Sequence, residues 1–562
     1  MFRSKTNFCI VAIVAALAGI LMSPTAPAQS AAQEILRSEL EQGARDGALV
    51  IRDVSIHASL AKDLYAQGDY QLLWSSDRQL DALDTLAARM EREGLDPADL
   101  QLDALRAARD AVRQQGADSS LADVDLLATE ALLRGAYQLY FGKVNPAALD
   151  SDWNFSRELP AQGAVREAIA SPDLGAYLDK AIPRGSIYRA TMAGLARYRE
   201  IAAAGGWPSV TEGPTLREGD TDPRVVELRK RLEASGHLPA APTPGGAASD
   251  IDSGTAIPLA DFFDSELTDA VKRFQSEHGL VVDGAVGKDS IAALNEPVSM
   301  RIDQLRMGLE RMRWVQQDLQ DEMLLVNIAG FQQYLVRNNR IVFESRIMVG
   351  KPYRKTPTFR DNIEYLVLNP TWTVPPTILA QDILPAVRKN PAYLRERNLS
   401  VLTPDGQAIN PDRINWQTVT AKRFPYILRQ QPGPQNAMGQ IKFMFPNEHL
   451  IYLHDTPSRN LFDQSVRTFS SGCIRVERPL ELAELLLAGQ PGWDRAAIDK
   501  ALASRVTQNV RLAKPVPILI MYLTAIAEAD GRIHFYRDVY KRDAALLAAL
   551  NGAFVMDLPP RR

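Results

Sequence analysis

IYLHDTPSRNLFDQSVRTFSSGCIRVERP, residues 451–479, is the stretch from which the rest of the chain can be read. Its first letters are apolar and aromatic in the manner of a strand, and its SSGC is small and flexible in the manner of a tight turn. His454 lies nineteen positions before Cys473, too far for one helix face but within reach if a strand delivers the histidine and a loop returns the cysteine beside it. A free thiol near neutral pH is only a few per cent thiolate, and a neighbouring imidazole is the usual means of activating it. Backbone N–H groups of Gly472 and Cys473, in a turn opened by Ser470 and Ser471, would face an incoming carbonyl oxygen. Tyr452 is two residues from His454, so on a strand it shares that face, to orient the imidazole or simply to pack. Arg467 and Arg475 flank the turn, and an arginine can hold a carboxylate bidentately; the plainer reading of each is a solvated charge or a partner for Glu477. A lone cysteine is also often just a small buried hydrophobe.

The letters around the pair weigh against that plainer reading. HDTPSRxLF followed by RxFSSGCIRVExP resembles the active-site signature of the bacterial L,D-transpeptidases, in particular the large periplasmic kind with a helical scaffold. The resemblance implies that Cys473 is the acylated nucleophile and His454 its base. Ser471 stands where smaller members have a second histidine, which removes any role for a second imidazole.

Outward from this stretch the pattern has period two. MLLVNIA, QQYLVR, IVFESRIMVG, EYLVLNP, IKFMF and LIYLH are short runs rich in Val, Ile and Tyr, and predict a β-sandwich or partly closed barrel. MVGKPYRKTPTF (348–359), NPTWTVPPTI (369–378) and PGPQNAMGQIKFMFPN (432–447) are further pieces of the resemblance. Trp372 and Tyr353 could line a groove or belong to the core. Between Leu379 and Tyr426 the strands give way to a helical, Pro-broken insertion holding Arg388, Arg395 and Arg397, placed where large family members carry a capping subdomain. After the nucleophile loop come helices over about 480–487 and 494–504 and a closing strand at 516–522, while the tail beyond Asp530 carries no signal.

On the N-terminal side the reading is helical. Leu126, Leu133, Tyr137 and Tyr140 share one face of a helix over 123–141, and Trp74 with YFGKVNP (140–146) resembles the family scaffold. LREGDTDPRVVELRKRLEASGHL and FDSELTDAVKRFQSEHGLVVDGAVGKDSIAALN resemble the two halves of a three-helix peptidoglycan-binding module, with a Pro/Ala/Gly-rich insertion at 239–260 between them. Ile302, Leu305, Leu309 and Met312 predict a helix leading back to the scaffold. The fold class is therefore multidomain α+β: signal peptide 1–28, helical scaffold 29–215, peptidoglycan-binding module 216–297, connecting helix 298–320, β-sandwich-like catalytic domain 321–530 with its helical capping insertion at 379–426, and tail 531–562.

The 562 residues are too many for one core. Arg3 and Lys5, an apolar run from Phe8 to Met22 and Ala26-Pro27-Ala28 read as a cleavable secretory signal, which implies a periplasmic location. Removing it takes Cys9 and leaves 62 basic against 68 acidic residues, a net −6, which attracts no nucleic acid. An exported chain with one cysteine has no internal disulfide, so Cys473 needs a use. His237 and His278 lack ligand spacing, His57, His449 and His534 read as structural, and neither metal nor cofactor is expected.

The resemblance implies stem peptides of peptidoglycan as partners, a tetrapeptide donor and a diaminopimelate acceptor joined by a 3–3 crosslink, with carbapenems as covalent inhibitors and other cell-wall synthases as associates. Three alternatives share the sequence: a cysteine hydrolase trimming the stem peptide, a non-catalytic wall anchor, and an enzyme attaching an outer-membrane protein to the wall.

Overall fold

The structure, a computed structural model, describes residues 30–115, 117–160, 163–239 and 260–558. The expected signal peptide and nearly all of the 239–260 insertion lie outside the described residues. The chain divides into two compact units, one of residues up to 76 with 101–130 and one of 77–100 with everything from 131 onward.

In the smaller unit, helix Ala31–Asp46 begins at Ser30, whose hydroxyl caps the Gln33 N–H at 3.2 Å, and ends at Gly47 in the left-handed region (φ 73°). Its Leu36 and Leu40 are buried, and a short antiparallel hairpin (Leu49–Ile51 with Val54–Ile56) leads to helix Ala58–Ala66. The Asp125 carboxylate is buried here and accepts from the Leu73 and Trp74 amides and the Tyr65 hydroxyl, while the Trp74 indole donates to Thr129 at 2.9 Å. Trp74 thus serves the local core.

In the larger unit, helix Val298–Val315 is the connecting helix expected from its spacing. It packs on helix Ser186–Ala203 through Leu305 and Leu309, and its buried Glu310 accepts from the Val144 amide of YFGKVNP at 2.8 Å. The described residues of 216–297 hold three helices, Arg224–Ala234, Ser265–Glu277 and Lys288–Leu294, around Val225, Leu228, Leu232, Leu267, Val271 and Phe274. Asp264 caps the second of these by accepting from Leu267 N at 2.8 Å.

Nine strands make the catalytic sheet: β1 (Glu322–Asn327), β2 (Gln332–Arg337), β3 (Arg340–Gly350), β4 (Phe359–Leu368), β5 (Ile441–Met444), β6 (Leu453–His454), β7 (Thr468–Ser470), β8 (Ile474–Val476) and β9 (Gln508–Met521). The order is β7-β3-β8-β6-β5-β4-β9-β1-β2, and the long β3 also pairs with β2, so the sheet curls back on itself as a partly closed barrel. Its core is Val, Ile, Leu and Phe from alternate strand positions, covered by helices Pro479–Leu487 and Arg495–Ala503.

Two segments carry more structure than the sequence suggested. The insertion has the expected helical turns, from Pro376 to Lys389, and with the strands that flank it (Trp372–Thr373 and Ile427–Gln430) its own Leu399–Leu402 and Ala408–Ile409 form a four-stranded sheet over a separate core of Leu379, Ile383, Leu384, Val387, Leu394, Val401 and Leu428. Trp372 packs on that core, whereas Tyr353 is 70 % exposed. Residues 531–558 are no featureless tail: Ile533–Phe535 pairs with Ala525–Ala527, Tyr540 enters the catalytic core, and Asp543–Asn551 is a helix.

Candidate active site

Strand register assembles the site. Antiparallel β5 and β6 place Lys442 opposite His454, and parallel β6 and β8 place His454 opposite Arg475. One step along, Ile474 N donates to Tyr452 O at 3.1 Å, which sets Tyr452 level with Cys473. Because side chains alternate, Lys442, His454, Arg475, Tyr452 and Cys473 all share one face. The separation of nineteen residues is closed by a strand that carries His454 and a turn that returns Cys473 just ahead of a parallel strand.

His454 is only 2 % exposed, and its Nδ1 lies 2.5 Å from the Asp455 carbonyl oxygen. A carbonyl can only accept, so the Asp455 contact places a proton on Nδ1, and the Met438 carbonyl is a second acceptor against the ring. Burial, with Arg475 and then Lys442 adding like-charge repulsion, holds the imidazole down to a pKa of about 3. Burial pushes the Cys473 thiol up, against opposing hydrogen bonds from Tyr452 and the nearby charges of Lys442 and Arg475. The resting pair is thus neutral thiol and neutral imidazole. The sulfur lies 3.8 Å from the Leu450 carbonyl, and among the described residues it makes no hydrogen bond to the imidazole. The Tyr452 hydroxyl faces the sulfur, so this residue meets the thiol and does not orient the imidazole as its place on the strand suggested.

The loop that carries Cys473 is braced from beneath. Gly472 has φ +120°, and a Cβ on Gly350 would come within 3.1 Å of the Gly472 Cα, so both positions require glycine. Thr356, fully buried, donates from Oγ1 to the Gly472 carbonyl (2.7 Å) and accepts from the Gly350 amide (2.9 Å). Tyr540 completes the lattice by donating to the Gly350 carbonyl (2.6 Å) and accepting from the Thr356 amide (3.1 Å). The Gly472 N–H, expected to face an incoming carbonyl, instead donates to Ser470 Oγ at 3.1 Å. A donor satisfied by a neighbouring hydroxyl is not free to meet an oxyanion unless that contact opens.

Ser471 is exposed, and its hydroxyl accepts from Arg354 Nη1 at 2.6 Å. The same guanidinium reaches Asp382 (2.7 Å) and Gln381 (3.0 Å), so it ties the loop that carries Cys473 to the insertion. Arg467 sits elsewhere: it is buried, donating to the carbonyls of Ile347, Gln464 and Phe331, a brace for the β3–β7 edge rather than a cation turned to a ligand. Glu477 pairs with Arg346, leaving Arg475 half-buried, with no carboxylate in ion-pair distance among the described residues and a buried Nε without a hydrogen-bond partner. Arg388 is spent inside the insertion, on the Trp416 and Val419 carbonyls.

The other histidines have structural partners. His57 meets Glu130, His534 meets Glu528, and His237 lies between Ser235 and Glu277. Among the described residues no group of His, Cys, Asp and Glu could hold a metal ion, and no helix is long and apolar enough to cross a membrane.

Residues 321–494, which contain this whole face, match the family described as the L,D-transpeptidase catalytic domain. This chain carries an L,D-transpeptidase catalytic domain. Residues 59–195 match a scaffold domain and residues 221–294 a "Putative peptidoglycan binding domain". A protein of Haemophilus influenzae named "Putative L,D-transpeptidase" is 36 % identical over 233 residues, 41 % of this chain and 47 % of that one. The N-acetylmuramoyl-L-alanine amidase CwlM of Mycobacterium tuberculosis is 37 % identical over 89 residues, 16 % of this chain and 20 % of its own. The chain therefore spans less than half the length of these curated relatives. Among solved structures, an L,D-transpeptidase (residues 123–326) from Xylanimonas cellulosilytica covers 55 % of this chain and 99 % of its own at 13 % identity, with a TM-score of 0.17. The Ldtfm–avibactam carbamoyl enzyme covers 36 % of this chain and 49 % of its own at 12 % identity, also with a TM-score of 0.17.

Four residues of this site escaped the sequence reading. Lys442 had a visible signal, a lysine in the apolar strand IKFMF. Arg354 and Thr356 lay within MVGKPYRKTPTF without being singled out, and Tyr540 lay in a stretch with no pattern at all.

Proposed function

We propose that the protein is a periplasmic L,D-transpeptidase that forms 3–3 crosslinks between peptidoglycan stem peptides through a thioester on Cys473. The observation that carries this reading is the shared face of the β6–β8 pair, on which a neutral imidazole and the thiol lie one step apart along the strands within a matched transpeptidase domain. His454 takes the thiol proton as the sulfur attacks the carbonyl between the L-centre of diaminopimelate and the terminal D-Ala. The C–N bond breaks, that proton leaves on the D-Ala amine, and a thioester remains. A side-chain amine of a second stem then attacks, gives its proton to His454, and releases the thiol as the new amide forms. Arg475 is the cation that receives a stem carboxylate, since among the described residues its guanidinium has no carboxylate within ion-pair distance and its Nε has no hydrogen-bond partner. Arg467, committed to backbone carbonyls, has no part in this.

A thioester waiting for an amine must be kept from water, and the insertion tied to the nucleophile loop through Arg354 supports transfer over hydrolysis. The peptidoglycan-binding module would hold the enzyme on its polymer. The acyl-enzyme chemistry is tested by incubating the whole protein with a carbapenem, which offers a strained carbonyl to the same thiol. Mass spectrometry is expected to find one covalent adduct on the Cys473 peptide and none in Cys473→Ala, whereas an unmodified Cys473 peptide after long incubation would overturn the thioester reading.

A further inference from the structure

The cross-strand row that holds His454 has a cation on each side of it: Lys442 from β5 and Arg475 from β8. Both are half-buried, and among the described residues neither has a carboxylate within ion-pair distance. The acids nearby are already used. Asp455 accepts from the Thr456 and Gln440 amides and from Arg459, while Glu477 is held by Arg346. The Lys442 ammonium instead lies over the Tyr452 ring, 3.9 Å from its centroid, on the ring whose hydroxyl touches the Cys473 sulfur. With thiol and imidazole neutral, this face carries two positive charges that no carboxylate among the described residues balances. Partly desolvated cations without a counter-charge are costly unless a ligand supplies one.

We propose that Lys442 is a specificity-determining residue, whose ammonium, across His454 from Arg475, receives a carboxylate carried beside the carbon that Cys473 attacks. This rests on the reading of Cys473 as nucleophile and adds that the donor is selected for negative charge next to the reacting atom. A lysine suits the task because its single charge on a flexible stem can follow the carboxylate as the reacting carbon changes geometry, whereas the arginine opposite is fixed by its fork. Arg475 alone would hold one orientation of the donor. The two cations together exclude donors whose carboxylate is amidated.

Iodoacetate and iodoacetamide test this directly, since they alkylate the same thiol and differ only in a carboxylate one bond from the reacting carbon. On the unaltered full-length protein, iodoacetate is expected to label Cys473 at least as fast as iodoacetamide, with that advantage shrinking in high salt. An ordinary thiolate repels the anion and shows the reverse order, so iodoacetate lagging behind iodoacetamide would overturn the proposal without any variant. Lys442→Met and Lys442→Gln should lower the iodoacetate-to-iodoacetamide rate ratio about tenfold, the size of one partly screened ion pair, and Lys442→Arg should keep it. An unchanged ratio in a folded Lys442→Met or Lys442→Gln protein, or an equal fall in both rates, would assign Lys442 to packing on Tyr452 or to tuning the thiol and would also overturn the proposal. If neither reagent labels Cys473 at all, the nucleophile reading itself fails, an outcome distinct from labelling without charge preference.

Discussion

A buried imidazole between two cations stays neutral in the folded protein well below the pH at which a free histidine gains a proton. His454 titrates near 3 when folded and near the ordinary 6.5 when unfolded, so between those values the unfolded chain binds the extra proton. The stability this neutrality supports is complete above pH 6.5 and drains away as the pH falls toward 3. Between pH 7 and pH 5 the wild type should lose about 2 kcal/mol more unfolding free energy than His454→Gln, at about 1.4 kcal/mol per unit below 6.5. Denaturant titrations at both pH values measure it, and the buried His278, common to both proteins, cancels in the difference. Cys473→Ala should abolish turnover while moving stability by less than about 1 kcal/mol, since the side chain is small and only half-buried. His454 and Cys473 were legible in the sequence because nucleophilic chemistry needs both residue types and their separation excluded a helix. Arg467 was not, because the carbonyls that hold it come from Phe331 and Ile347, more than a hundred residues upstream. Lys442 became meaningful only when register set it opposite His454.

At the scale of elements, two small devices carry the loop that presents Cys473. The first is the Arg354 junction between Ser471 and the insertion residues Gln381 and Asp382. Arg354→Met should loosen the cover and raise the ratio of tripeptide to crosslinked dimer several-fold while Cys473 remains open to β-lactam. Shortening 379–426 should push that ratio the same way, and an unchanged ratio in both variants would mean that acceptor choice lies in the barrel. The second device is Tyr540, whose hydroxyl holds the Gly350 carbonyl and the Thr356 amide beneath Gly472. Tyr540→Phe leaves both groups short of a partner in a buried place and should cost about 1–3 kcal/mol, visible in a thermal melt, and should slow Cys473 acylation. The barrel strands were legible because six runs alternate with period two. The strands in and beside the insertion are two to four residues long, too short for any period to show, and the hairpin of Ala525–Ala527 with Ile533–Phe535 is equally brief.

At the scale of the molecule, the peptidoglycan-binding module is fastened within the larger unit. His278 stacks on Phe535, and Arg537 pairs with Asp289 at 2.8 Å. Deleting 216–296 should therefore lower sacculus binding more than turnover of a small soluble tetrapeptide, and should also lower the melting temperature by exposing Phe535. Equal losses of binding and turnover would make the module chiefly a brace. The three-helix module and the connecting helix were legible from their three- and four-residue spacing. The division of the helical scaffold between two units was not, because it depends on which helices pack together rather than on any one helix's pattern. Product analysis of purified sacculi incubated with the whole protein tests the central claim most directly. The account predicts 3–3 crosslinked dimers with D-Ala released in equal amount, both absent with Cys473→Ala; release of D-Ala with only tripeptides accumulating, or dimers persisting in Cys473→Ala, would contradict it.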